Sequence, residues 1–298
     1  MKRSIYAGTV LVFCIATILL IKYFFFKADD DKVNLSKNTI PRSVRYGFTI
    51  QNNGNRLVKT GLFRTWAPVE NTATQHCENI NASIPFQIVP DMLGNQMLEF
   101  VLTNIPPHGI KIISITADLT LSEANNLLEK DNPQIFLKPE TYIESDQPNL
   151  IQQANSLKKD GIFETALNIH DWVAGHIEYT GYIKKDRGAL YAFHNKKGDC
   201  TEYMYLFVAF CRALEIPARG VCGYVCKENS ILRPAEFHNW AEFNHKGRWI
   251  LSDPQNRLFQ KGAENYIAMR ILGPSGNNPQ MNFNRFHLEG EGLSARMN

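Results

Sequence analysis

Apolar and polar positions alternate in short runs from Ser43 to about Thr120. Arg45-Tyr46-Gly47-Phe48-Thr49-Ile50, Leu62 through Trp66, Gln96 through Leu102 and Lys111 through Leu119 each place every second side chain on one face, the signature of half-buried strands. Asn52-Asn53-Gly54-Asn55 and Leu93-Gly94-Asn95 punctuate them as turns. The spacing predicts a β-rich domain of sandwich type over residues 43–120. A connector with several prolines is expected over 121–153. The period then becomes helical. Ile162 to Glu178 reads as an amphipathic helix with Leu167, Trp172 and Ile177 among its apolar positions. A polar loop to Asn195 is expected after it, long enough to wall a substrate cleft. Tyr203, Phe207, Phe210, Cys211 and Leu214 then recur at helical spacing, which predicts a helix of about 15 residues starting at Cys200.

Alternation returns after this helix. Phe237 to Asn244 and Arg248 to Asp253 read as two strands joined at His245-Lys246-Gly247, a hairpin. Within it His238 and Trp240 share one face of the first strand, and Trp249, Leu251 and Asp253 share one face of the second. A further strand is expected over Glu264 to Leu272. The tail beyond Gly273 offers Phe283, Phe286 and Leu288 as anchors, to cover the cleft or to complete a sheet.

The chain opens with Lys2-Arg3 and a run that stays almost uncharged from Ser4 to Ile21. Past Lys22 it continues through Tyr23-Phe24-Phe25-Phe26. That length can span a bilayer, with Lys22 snorkelling. No small-residue cleavage site follows, so residues 1–27 are expected to be an uncleaved signal anchor, residues 28–42 a linker, and the soluble part extracytoplasmic. The net charge of +3 gives no case for nucleic-acid binding. The six cysteines show neither a disulfide framework nor a C-x-x-C pattern, and no H-E-x-x-H occurs, so a zinc enzyme is not expected.

Candidate chemistry lies between Lys197 and Pro254. Asp199 and Glu202 form a capping-box pattern that sets Cys200 in the first turn of its helix. Unpaired N–H groups and the positive end of the dipole there favour negative charge on the sulfur, and the same N–H groups can serve as oxyanion donors. Cys200 is the expected nucleophile and His238 its base. Asp253, within reach across the hairpin, is expected to fix the imidazole tautomer. Tyr182 and Tyr191 are candidates for a further oxyanion donor. His194 lies in a Lys/Asn-rich loop and is expected at the surface or against substrate. Arg219 is expected in a structural ion pair or fixing the strand after the helix.

The motifs Gly198-Asp199-Cys200, Phe207 through Arg212, Ile216-Pro217-Ala218-Arg219, Gly223-Tyr224, His238-Asn239-Trp240-Ala241-Glu242 and Trp249 through Pro254 occur in one order and spacing. In this the chain resembles the transglutaminase-like superfamily over roughly residues 165–255. Glu215 stands where that family usually has Gly. The resemblance implies an α+β fold with a papain-like catalytic domain, here residues 154–298, preceded by the β-sandwich-type domain and the N-terminal transmembrane helix. It implies a Cys200-His238-Asp253 triad, a thioester intermediate and a protein or peptide substrate, with no cofactor and no metal. The outcome it implies is hydrolysis, amine transfer or deamidation; for an anchored, extracytoplasmic chain, hydrolysis is favoured. A non-catalytic binding module on the same fold is the alternative.

Overall fold

The computed structural model describes residues 39–123, 132–273, 281 and 283–298. The expected membrane helix at 1–27 and most of the expected linker at 28–42 lie outside them. The linker's last residues are already strand, because β1 begins at Thr39.

Six strands open the described chain: β1 (Thr39–Asn52), β2 (Val58–Ala67), β3 (Gln75–Ala82), β4 (Gln87–Pro90), β5 (Gln96–Ile105) and β6 (Ile110–Ser122). Every second residue of β6 from Ile113 to Leu121 is buried, as are Val44, Tyr46, Phe48 and Ile50 of β1. This period of two builds the inner faces of two packed sheets. One sheet runs β1-β6-β3 and the other β2-β5-β4.

Four helices follow: α1 (Pro148–Leu157), α2 (Ile162–His176), α3 (Gly188–Asn195) and α4 (Cys200–Ala213). Helix α1 crosses the expected boundary at 154, because Leu150, Ala154 and Leu157 pack into the same core as α4. Helix α3 occupies part of the stretch expected to be loop. Its Ala189 and Ala192 are buried in that core, too few apolar positions to reveal a helical period. Helix α4 starts at Cys200 as its pattern predicts, but Glu202 to Arg212 are all buried, so it has no solvent face. It stands between α1–α3 and a sheet, which makes it the axis of the helical half.

That sheet is built from β9 (Ala218–Val225), β11 (Phe237–His245), β12 (Arg248–Asp253), β13 (Leu258–Phe259) and β14 (Tyr266–Leu272), in the order β13-β12-β11-β9-β14. Two-residue strands β7 (Glu178–Tyr179) and β8 (Lys197–Gly198) pair in parallel just before α4, and β10 (Ser230–Ile231) pairs with β1. Two last strands, β15 (Phe286–Glu289) and β16 (Leu293–Met297), return to the sandwich, on β2 and β1 respectively. The end of the expected catalytic domain 154–298 therefore completes the sandwich sheets. The physical reason is aromatic packing: the Phe286 ring lies 5.4 Å from Phe48 and 5.9 Å from Phe63.

Sandwich and helical half share a core. Tyr224, Cys226, Ile267 and Met269 of the β9–β14 region pack with Phe48, Phe63, Phe100 and Ile115. Two buried amides join the halves through the backbone of β14, an edge strand whose polar groups need partners. Gln75 Oε1 accepts from Ala268 N–H at 2.9 Å while its Nε2 donates to Ala268 C=O at 3.0 Å. Asn95 Oδ1 accepts from Ile271 N–H at 2.7 Å while its Nδ2 donates to Ile271 C=O at 2.9 Å.

Glu215 follows the C-cap of α4 in the left-handed region, φ 59°. Ile216 N–H donates to Cys211 C=O at 2.9 Å and Glu215 N–H to Arg212 C=O at 3.0 Å, the paired bonds of a Schellman ending. The turn a glycine would make is thus made by a residue whose Cβ resists it. Glu215→Gly is expected to raise stability by about 1 kcal/mol, read as a higher urea midpoint with unchanged slope; a lower midpoint counts against this account of the turn.

Candidate active site

The tip of α4 is fixed before its chemistry begins. Asp199 accepts from Thr201 N–H at 2.8 Å, and Glu202 accepts from Asp199 N–H at 3.0 Å, which closes the capping box. The remaining oxygens hold the preceding loop, Asp199 Oδ2 accepting from Ile183 N–H at 2.8 Å and Glu202 Oε1 from Arg187 N–H at 3.0 Å. Burial pushes the Glu202 carboxyl up against the pull of those N–H groups. A Cβ at Gly198 would lie 2.4 Å from Glu202 Cβ, so only glycine lets the chain pass under the cap. Cys200 emerges half-buried from this support, at the first helical position.

The imidazole and the carboxylate come from the hairpin. Lys246 and Gly247 both have positive φ, 53° and 78°, the two-residue turn that matches strand twist. His245 pairs with Arg248 and Ala241 with Ser252, which sets Asp253 diagonally across from His238 on one face. His238 Nε2 donates to Asp253 Oδ2 at 2.6 Å. Asp253 is buried, and its Oδ2 also accepts from Tyr266 O–H at 2.8 Å and Asn256 Nδ2 at 2.8 Å. With Nε2 committed to Asp253, Nδ1 is the ring nitrogen left to face Cys200, whose side chain is within hydrogen-bonding range of His238. Burial opposes charge on His238, but the hydrogen bonds and charges of Asp253 and Cys200 outweigh it and push the imidazole up to about 9. Burial alone would raise the Asp253 carboxyl; His238, Tyr266 and Asn256 hold it below its ordinary value instead.

The structure brings all three expected residues, Cys200, His238 and Asp253, to one place. It adds three that the pattern did not single out. Tyr266 and Asn256 steady Asp253, and Asn239 reaches Cys200 from the other face of β11, with Nδ2 3.6 Å from Sγ and 2.8 Å from Thr201 Oγ1. Trp240 packs edge-on to Tyr266 at 5.0 Å and walls the pair. Other candidates lie elsewhere. Tyr191 O–H accepts from Arg187 Nη1 at 2.6 Å under a guanidinium 4.0 Å above its ring. Tyr182 is 72% exposed, and His194 is exposed at the end of α3. Arg219 is buried in an ion pair with Glu242 at 2.8 Å and lies 3.9 Å from the Trp249 ring. Among the described residues no group of three or more His, Cys, Asp or Glu side chains is placed to hold a metal ion.

A cysteine thus stands at the tip of a central helix, beside an imidazole–carboxylate pair on an adjoining antiparallel sheet. Residues 149–254 match the family described as Transglutaminase-like superfamily. Among solved structures the chain is similar to a candidate cysteine protease from Cytophaga hutchinsonii, 20% identical over 88% of this chain and 91% of that one, with a TM-score of 0.59. It is also similar to the periplasmic domain of TgpA from Pseudomonas aeruginosa, 15% identical over 74% of this chain and 93% of that one, with a TM-score of 0.39. A search of curated proteins gives no match.

Proposed function

We propose that this chain is a cysteine enzyme that cleaves amide bonds of proteins or peptides through a thioester on Cys200. The observation that carries the reading is the 2.6 Å bond from His238 to Asp253 beside the helix-borne sulfur. Cys200 Sγ attacks the carbonyl carbon, His238 passes a proton to the leaving nitrogen, and Asp253 supports the imidazolium meanwhile. Water then resolves the thioester. Water as acceptor makes the reaction a hydrolysis, and an amine in its place makes it a transfer. The soluble part works outside the cytoplasm, tethered by the apolar run at residues 1–27.

The test incubates the enzyme with glutamine-containing proteins, with and without a labelled amine, and reads the products by mass spectrometry. Shortened fragments are expected. Amine incorporation assigns transfer instead, and a deamidation mass shift alone assigns glutamine hydrolysis. A Cys200→Ser protein that matches the wild type in every product removes the enzymatic reading and leaves a binding module. Digestion of the soluble part by protease added to spheroplasts tests the location, and protection there places it in the cytoplasm.

A further inference from the structure

Asn239 holds a side chain whose two ends are treated differently. Its Nδ2 lies 2.8 Å from Thr201 Oγ1 and 3.6 Å from Cys200 Sγ, while its Oδ1 is buried without a partner. A buried amide oxygen left unpaired costs stability, and an apolar side chain of the same size would avoid that cost. The residue is therefore explained by its nitrogen. The amide is turned so that Nδ2, and not Oδ1, meets both Thr201 Oγ1 and the sulfur.

An amide nitrogen has two hydrogens. One is spent on Thr201, and that bond anchors the group to the first turn of α4. The other points toward Sγ. When Sγ bonds a carbonyl carbon, the carbonyl oxygen takes the electron pair of the broken π bond and becomes an oxyanion two bonds from the sulfur. This is the region that the second hydrogen reaches. The Cys200 backbone N–H belongs to the same helix tip. It occupies the first helical position, whose N–H has no partner within the helix, and the Asp199 side chain caps Thr201 N–H instead. Two donors from different elements, one backbone and one side chain, then converge where negative charge develops.

We infer that Asn239 is a catalytic residue, the side-chain donor of the oxyanion hole, working with the Cys200 N–H. The inference rests on the proposed acyl transfer by Cys200. It also assigns Thr201 a positioning role, since its hydroxyl holds the amide in place. Tyr191, tied to Arg187, and Tyr182, 72% exposed, are left without this role.

The experiment compares two reactions of the same sulfur in the full-length protein. Acylation by p-nitrophenyl acetate passes through an oxyanion; alkylation by iodoacetamide displaces iodide and does not. In Asn239→Leu and Asn239→Ala, acylation is expected to fall about 10²-fold, while alkylation and its pH profile stay close to wild type. Unchanged acylation overturns the inference and leaves the proposed function standing. Parallel loss of both reactions, or an alkylation profile displaced to higher pH, also overturns it, because the amide then serves the thiolate or the packing. Wild-type acylation no faster than that of Cys200→Ser removes the proposed function, and the oxyanion hole with it.

Discussion

Replacing His238 by alanine is expected to lower Cys200-dependent turnover ~10⁴-fold and to slow alkylation of Cys200 near neutral pH. In the proposed mechanism the imidazole has two tasks, and both are lost together. It pairs with the sulfur before attack, and it delivers the proton that lets the amine leave. The other side chains described beside Cys200 cannot do the second: Asn239 offers an amide and Thr201 a hydroxyl, neither an acid near neutral pH. The helix tip survives in the variant, so a residual rate from the first-turn N–H groups should remain. The substitution also leaves the buried Asp253 with only Tyr266 and Asn256, so part of any stability loss at pH 7 reflects a carboxylate without its cation. Unfolding curves separate that effect from catalysis. Alkylation at wild-type rate near pH 7 would mean that His238 does not act on Cys200, and the proposed mechanism would have to be abandoned.

The parts of this site that could be read from sequence are those set by local rules. A capping box and a helical period place Cys200 at a helix start, and the observed bonds of Asp199 and Glu202 follow that pattern. A Lys246-Gly247 turn and a period of two put His238 and Asp253 on one face, and the register delivers it. The unread parts depend on which surfaces meet. Asn239 lies within the motif that follows His238, but alternation points it away from His238, and only the packing of α4 on β11 brings its amide to the sulfur. Tyr266 reaches Asp253 because β14 is the edge strand beside β9, an order that no local signal encodes. The same holds for β15 and β16. Their alternation shows that Phe286 and Leu288 need a core, and not that the core is the sandwich. Gln75 and Asn95 look like turn or strand polar residues until β14 is set against them.

The second large effect is a pH dependence that Asp253 controls. His238 is raised to about 9 while Asp253 is lowered, so the imidazolium–carboxylate pair persists from below the ordinary carboxylate range up to about pH 9. The signs follow from linkage. A raised imidazole contributes stability that is complete below its ordinary value near 6.5 and is lost as pH rises through about 9. A lowered carboxyl contributes stability present above its ordinary value and lost as pH falls through its depressed one. Activity that uses His238 as the acid should therefore lose its alkaline limb near pH 9. Asp253→Asn removes the hydrogen-bonded carboxylate that raises the imidazole. Burial then pulls it down against Cys200 alone, so the alkaline limb should move to lower pH, with kcat/KM at pH 7 reduced ~10³-fold. The asparagine still offers an oxygen to Tyr266 O–H, so the buried tyrosine keeps a partner and the fold should be retained. A pH–rate profile of wild type and variant over the alkaline range decides the matter. An alkaline limb at the same pH in both would mean that Asp253 orients nothing and that the limb belongs to another group.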